Sequence, residues 1–337
     1  MVRRSLAAAL IVVVAAALLV LAWPQLFGLQ RSSLIAQAIS FRGLAAVAAL
    51  IVLVVVAVLA AASRRFRRLG ASLAIFALAF VLLNAVVLGS RGFGNTVFQP
   101  KRATDVTVVS WNTLGGAPGA AAIATLALGA RADIVSLPET DRETADEIAA
   151  IMTAAGRPMT PHTTAFDTIS KARSTSVLVS RRLGRYSVDS TSGSTTTLPT
   201  VILRPDSGSG PTIVAAHPVA PIPDELANWS SDLKWLSGAC RSPSVIMAGD
   251  FNATLDHLVG FGDSYGKTMG RCTDAALRSG NGAVGTWPTA MPALFSAPID
   301  HVMATENWRV SGMRVVQNLD GAGSDHRPII VQLSADH

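Results

Sequence analysis

Polar side chains close a series of apolar runs in the carboxy-terminal part of this sequence, and they are of the kinds that grip cations and phosphate. Asn112 ends VVSWN, Glu139 ends DIVSLPE, and His217 ends TIVAAH. Asp250 and Asn252 end VIMAGDFN, Asp300 follows SAPI, and Asp325 and His326 precede a last apolar run. Short runs rich in β-branched residues read as buried strands. Where the strands of a sandwich end on one side, their terminal side chains converge on a shared crevice. Carboxylates, amides and imidazoles gathered there make a site for a hard cation and a phosphate, because ions of the Mg²⁺ type take oxygen ligands and imidazole exchanges protons near neutrality. No CxxC or Cys/His spacing points to zinc.

In order, the fragments SWN, LPE, HP, GDFN, IDH and SDHRP resemble the motif set of the endonuclease/exonuclease/phosphatase superfamily, over residues 105–334. That family includes pancreatic-type deoxyribonucleases, abasic-site endonucleases, inositol polyphosphate 5-phosphatases and neutral sphingomyelinases. The resemblance implies an α/β fold of the deoxyribonuclease I-like kind, a two-sheet β-sandwich flanked by helices. It implies hydrolysis of a phosphate ester with Mg²⁺, Mn²⁺ and Ca²⁺ being alternatives. Carried over residue by residue, it makes Asn112, Glu139 and Asp325 metal ligands. Asp300 and His326 resemble the family's Asp–His pair, in which the carboxylate fixes the imidazole tautomer. Asp250 resembles the residue that orients or deprotonates the attacking water, and Asn252 the amide that donates to a phosphoryl oxygen. His217 stands where deoxyribonuclease I-like enzymes, 5-phosphatases and sphingomyelinases also carry histidine; its implied role is to stabilise the pentavalent phosphate or protonate the leaving oxygen. The Asn-x-Tyr pattern of abasic-site endonucleases is missing there.

Two departures stand out. Pro138 occupies the place of the family's usual Gln, and Pro218–Pro221 replaces the apolar residue expected after the histidine. Neither removes a catalytic group, but both make it unsafe to transfer substrate preference from a named branch. Other reactive residues read more plainly. His301, next to Asp300, points to the opposite face of a strand and reads as structural. His162, His257 and His337 lie in no motif. Trp287, in GTWP, fits a wall of the site or a packed core equally well. Lys171 and Arg173 read as solvated loop charges, with contact to an anionic substrate as the alternative.

The elements that position these residues follow from the same runs. Strands are expected over Val106–Trp111, Asp133–Leu137, Ser176–Ser180, Thr196–Leu203, Thr212–Ala216, Val245–Ala248, Ile299–Ala304, Trp308–Val316 and Pro328–Leu333. Helices are expected over Gly119–Ala130, over Asp141–Ala155 with Asp141 as N-cap, and over Asp224–Gly238 with Trp229, Leu233 and Leu236 on one face.

Half of the 337 residues are hydrophobic and 15% are charged. The apolar excess sits at the front, where residues 5–23, 44–62 and 71–89 form charge-free stretches of the ~20 residues a helix needs to cross a bilayer. The first is too long for a signal peptide. Domains are therefore expected at 1–89, a three-helix transmembrane anchor; 90–104, a polar linker able to lift a domain off the bilayer; and 105–337, the catalytic domain. Arg3, Arg4, Arg64, Arg65, Arg67 and Arg68 against Arg31 and Arg42 put the amino terminus in the cytoplasm. Three spans then put residues 90–337 on the extracytoplasmic side of a multi-pass cell-membrane protein.

The net charge of +6 misleads, because residues 1–100 hold nine Arg and no acidic residue, leaving residues 101–337 at −3. The basic character belongs to the anchor and gives no basic nucleic-acid-binding face to the catalytic part. Two substrate classes remain, a lipid or envelope phosphoester and extracytoplasmic DNA or RNA. A third reading, a catalytically silent binding domain, has against it that every matched position is filled. Cys240 and Cys272 fit either a disulfide, which an oxidising compartment permits, or two buried thiols.

Overall fold

The computed structural model describes residues 2–167 and 169–335, so His337 lies outside the described residues. Four helices come first: α1 (Val2–Ala22), α2 (Ile35–Ser40), α3 (Arg42–Ala62) and α4 (Arg67–Arg91). Of these, α1, α3 and α4 are long and apolar enough to cross a membrane, in agreement with the three expected spans. The strands that follow are β1 (Val106–Ser110), β2 (Ile134–Pro138), β3 (Met159–Ala165), β4 (Ser174–Ser180), β5 (Tyr186–Val188), β6 (Val201–Pro205), β7 (Thr212–Ala216), β8 (Val245–Asp250), β9 (Thr273–Asp274), β10 (Asp300–Ala304), β11 (Trp308–Val315) and β12 (Ile329–Ala335). Between them lie α5 (Gly119–Gly129), α6 (Arg142–Ala154), α7 (Leu226–Ala239), α8 (Leu255–Leu258) and α9 (Ala275–Ser279).

The strands form two six-stranded sheets, ordered β11-β12-β1-β2-β4-β3 and β5-β6-β7-β8-β10-β9. Val108, Ile134, Val177, Leu203, Ala215, Ile246, Val302 and Val331 alternate inward from both sheets to form the core between them. The opposite face of the first sheet is covered by α5 and α6, through Ile123, Ile148 and Met152. The outer face of the second is covered by α7, through Trp229, Leu233 and Leu236, as the sequence spacing predicts. Asp141 caps α6 by accepting from Thr144 N–H at 2.9 Å. This is the expected sandwich flanked by helices.

Strand direction explains why the polar ends meet. β1 runs parallel to β2, and β7 parallel to β8, so Asn112, Glu139, His217 and Asp250 come at like ends. β12 is antiparallel to β1 and β10 antiparallel to β8, so the residues that precede or open them, His326 and Asp300, arrive at that same edge. Asp300 stands directly opposite Asp250 in the ladder.

Several local expectations differ. The run Thr196–Leu203 is a strand only from Val201. Upstream of it, Thr196 N–H and Oγ1 both bond Asp232 Oδ1, at 2.9 and 3.0 Å, which holds that stretch out of the ladder. β3 escapes the sequence reading because it is a half-exposed edge strand, polar and carrying Pro161. Cys240 and Cys272 are joined as a disulfide, with Cα atoms 5.9 Å apart.

The largest difference concerns the polar stretch expected to space the domain from the bilayer. Gly94 N–H bonds Gly280 O at 3.0 Å, Gln99 N–H bonds Ser311 O at 2.8 Å, and Gln332 Nε2 donates to Gln99 O at 3.0 Å. Backbone groups satisfied in this way make the segment part of the domain surface, not a free spacer.

The segment between α1 and α3 is likewise docked. Ala36 is buried in the cluster beneath α7, and Ala36 O pairs with His257 Nε2 at 3.0 Å. Arg31 Nη1 donates to His257 O at 2.7 Å. Arg42, at the first turn of α3, makes a two-pronged contact with Asp256 at 2.6 and 2.8 Å. Arg91, at the end of α4, grips the same carboxylate at 2.9 and 2.8 Å. Arg42 also donates to Asn84 Oδ1 of α4 at 2.7 Å. Gly43 follows, where a Cβ would strike the Leu294 carbonyl oxygen, so only glycine permits this approach of α3 to the domain.

Candidate active site

All eight residues expected to act together do meet in one crevice. Six of them, Glu139, His217, Asp250, Asn252, Asp325 and His326, line a cavity of about 470 Å³. Asn112 and Asp300 stand directly behind, each bonded to residues of that lining. Glu139 and Asn252 have positive φ, 57° and 47°, and Leu114 beside them has 48°. Left-handed backbone at non-glycine residues carries strain and clusters at functional sites. Gly249, just before Asp250, must be glycine, because a Cβ there would collide with Ala216 O on the neighbouring strand.

Asp300 Oδ2 lies 2.9 Å from His326 Nδ1, which leaves Nε2 facing the cavity, 3.7 Å from Asp250 Oδ2 and 4.0 Å from Asp325 Oδ1. Burial alone would lower the His326 pKa, but the Asp300 and Asp250 carboxylates overcome it and drive the pKa up, so the ring carries a proton. Burial pushes the Asp250 carboxyl up, against the pull of His326. Asp250 Oδ1 accepts Asn252 N–H at 2.8 Å. Burial also raises Glu139, opposed by its bond from Asn112.

His217 is fully buried, and burial followed by repulsion from His326 lowers its pKa to about 3. It is therefore a neutral ring, with Nδ1 3.3 Å from Thr175 Oγ1 and Nε2 4.0 Å from Glu139 Oε1.

Two amides are occupied differently from the roles the resemblance implies. Asn112 points its Nδ2 at Glu139 Oε1 and Asp250 Oδ2, both at 3.0 Å, while its oxygen accepts Leu114 N–H. Here it separates two carboxylates as a donor. Asn252 Nδ2 donates to Pro218 O at 3.0 Å, leaving one amide hydrogen of the pair for another acceptor.

The donor set fits a hard cation. Asp325 Oδ1 and Asp300 Oδ1 are buried carboxylate oxygens without a hydrogen-bond partner. Carboxylate and imidazole atoms of Asp250, Asp300 and His326 lie within 4.8 Å of one another. Because His326 Nδ1 is committed to Asp300, the atoms of this cluster best suited to an Mg²⁺-like ion are carboxylate oxygens.

Sequence reasoning left Trp287 undecided between wall and core. Its Nε1 donates to Asp325 Oδ2 at 2.8 Å, and its ring stands 6.4 Å from His326 and 6.0 Å from Phe41, so it forms a wall of the site. Arg327, overlooked within SDHRP, is 1% exposed. It reaches Asp320 and the carbonyls of Gly285, Thr289 and Met291, holding the Trp287 loop in place. Also missed were Gln37, Ser40 and Phe41, which come from the anchor and line the cavity. His301 bonds Asp274 and Ala253 O, away from the crevice. Lys171 pairs with Asp141 on the surface at 2.9 Å.

Solved structures with the same fold include humanized D. rerio TDP2, with TM-score 0.52 and 16% identity over 69% of this chain and 100% of that one. An endonuclease/exonuclease/phosphatase from Bacteroides vulgatus gives TM-score 0.52 and 14% identity, again over 69% and 100%. D. rerio TDP2 complexed with single strand DNA product gives 0.52 and 15%, with the same coverage. At such identities the likeness is one of fold. Among curated proteins none matches. The family model described as Endonuclease/Exonuclease/phosphatase family matches residues 109–326, from the strand before Asn112 to His326 itself. With well over half its length so matched, the chain belongs to the endonuclease/exonuclease/phosphatase family, whose members hydrolyse phosphoesters with a divalent metal.

Proposed function

We propose that this protein is an Mg²⁺-dependent hydrolase of a lipid or other envelope phosphoester, working at the extracytoplasmic face of the membrane it spans. The observation that carries this reading is the lining of the catalytic cavity. Around the acidic and imidazole groups stand Phe41, Leu114, Leu198, Val219, Pro221, Ile222 and Trp287, and among the described residues no Lys or Arg. Nucleic-acid binding leans on cationic contacts to phosphates, so an apolar pocket fits a phosphoester attached to an apolar group better. The extracytoplasmic side is supported by the arginine distribution of the spans and by the Cys240–Cys272 disulfide, a bond that persists in oxidising compartments.

Glu139 and Asp325, joined by Asn112 once its amide oxygen turns inward, would hold the ion. When bound, it neutralises phosphoryl charge and contributes several kcal/mol to lowering the barrier. Asp250 Oδ2 takes a proton from the attacking water. Protonated His326, held by Asp300, presents Nε2–H to the oxygen on which charge builds. Neutral His217 and the free amide hydrogen of Asn252 donate to the remaining phosphoryl oxygens. The phosphorus–oxygen bond to the leaving group breaks as the bond to water forms.

The alternative, a membrane-held nuclease, draws support from the shared fold with a TDP2 solved with single strand DNA product. The deciding assay uses the full chain in detergent micelles with Mg²⁺, offering phospholipid and single-stranded DNA in parallel. Release of phosphate or headgroup from lipid that stops with chelator is the expected result. Cleavage of DNA alone would establish the nuclease reading, and turnover under saturating chelator would overturn both.

A further inference from the structure

We infer that the membrane anchor is a working part of the active site: Phe41, with Gln37, forms the cavity wall that selects an apolar chain on the substrate, received from the bilayer side. This rests on the phosphoesterase reading above and adds to it where the chain lies and which residues choose it.

The anchor segment does not merely pass nearby. Gln37, Ser40 and Phe41 line the same cavity as Glu139 and His326. Gln37 Nε2 donates to Pro221 O, closing the anchor against the proline-rich stretch that departs from the family pattern. Phe41 is the residue immediately before α3, a membrane-spanning helix. Its ring lies 6.0 Å from Trp287, and that of Trp287 lies 6.4 Å from His326. A continuous aromatic surface therefore leads from the catalytic imidazole to the first turn of a span. Ile222, in the same lining, is 53% exposed. A water-soluble substrate has no use for such a path, whereas an acyl or isoprenoid-like chain gains by burying its methylenes there.

The wall is also rigidly held. Asp256 ties Arg42 and Arg91, at the domain-facing ends of α3 and α4, with side chains 6% and 13% exposed. His257 and Ala36 lock α2 at 3.0 Å. A tether that only retained the domain at the membrane needs none of these buried contacts.

Two esters with the same reacting end separate this inference from the reading beneath it: hexadecyl p-nitrophenyl phosphate and methyl p-nitrophenyl phosphate. Both are offered to the full-length protein in dodecyl maltoside micelles with Mg²⁺, and p-nitrophenolate is followed. The expected result is a kcat/KM preference for the hexadecyl ester that falls at least about tenfold in Phe41→Ala, the loss appearing in KM because chain binding is shared by ground and transition states. Ile222→Glu, a change at an exposed rim position that does not depend on repacking, lowers the same ratio. Equal kcat/KM for both esters in the wild type, or an unchanged ratio in both variants, overturns the inference while leaving a phosphoesterase. Failure to cleave either ester, with DNA cleaved instead, overturns the underlying reading.

Discussion

His326 and Asp300 set the residue-scale logic of this site. A carboxylate 2.9 Å from one ring nitrogen keeps the other facing the cavity, and in the proposed mechanism the proton held there is the one the reaction draws on. Replacing Glu139, Asp250 or His326 by Ala is expected to lower turnover by at least about a thousandfold, with circular dichroism and thermal midpoint near wild type. Wild-type-like turnover in any of the three would remove that residue from the mechanism. Asp300→Asn is expected to lose most activity while leaving KM little changed, because the imidazole orientation matters chiefly in the transition state; a pure KM effect would assign Asp300 to binding. These side chains were legible in the sequence because each borders an apolar run, and run ends of a sandwich fall on one edge. Trp287 was ambiguous because an indole suits core and rim alike. Arg327 was overlooked because it joins Asp320 to carbonyls of a loop some 40 residues upstream, such as Gly285, a pairing with no local periodicity.

At the scale of elements, the telling unit is the short helix α8 and the carboxylate it presents. Burial alone would raise the Asp256 pKa, but Arg91 and Arg42 more than reverse this and hold it well below the usual carboxylate range. Asp256→Asn leaves two guanidinium groups without their counter-charge, at a cost of about 3–5 kcal/mol. A drop in thermal midpoint of roughly 5 °C or more is expected, and an unshifted midpoint would mean the junction is incidental. Next to it, His257 accepts Thr254 N–H at Nδ1 and donates to Ala36 O at Nε2, and burial lowers its pKa from 6.5 to about 4. Because the folded ring holds fewer protons than the unfolded one between those values, its stabilisation is complete above about pH 6.5 and is lost as pH falls towards 4, by roughly 3 kcal/mol. Thermal midpoints should therefore fall across that window, and less steeply in His257→Gln; parallel curves would exclude His257 as a cause. None of this junction was visible in sequence, where Arg31 and Arg42 counted only as charges outside the membrane and His257 belonged to no motif. Docking of residues 23–41 onto a surface some 180 to 230 positions later leaves no local pattern to read.

For the whole molecule, the three spans were legible as apolar runs of span length and most strands as short β-branched runs, while the two-sheet sandwich came from the family resemblance and the order of strands was not readable. What the sequence hid was that anchor and enzyme are one body. A fragment beginning at residue 101 would lack the segment that covers Asp256 and His257 and walls the cavity, and is expected to be less stable and more prone to aggregate than the full chain in detergent. Sidedness has its own test. Tyr265 is fully exposed on the catalytic domain, so Tyr265→Cys should react with a membrane-impermeant maleimide in intact cells; labelling only after permeabilisation would reverse the topology. The grip of one aspartate on two spans has a last consequence. It ties the catalytic mouth to the ends of two apolar helices of span length, which would keep the enzyme in the thin sheet of space beside the bilayer. On the lipid reading, its rate then follows how densely substrate is spread over the membrane area, and diluting that substrate with inert lipid slows it even when the total amount in the tube is constant.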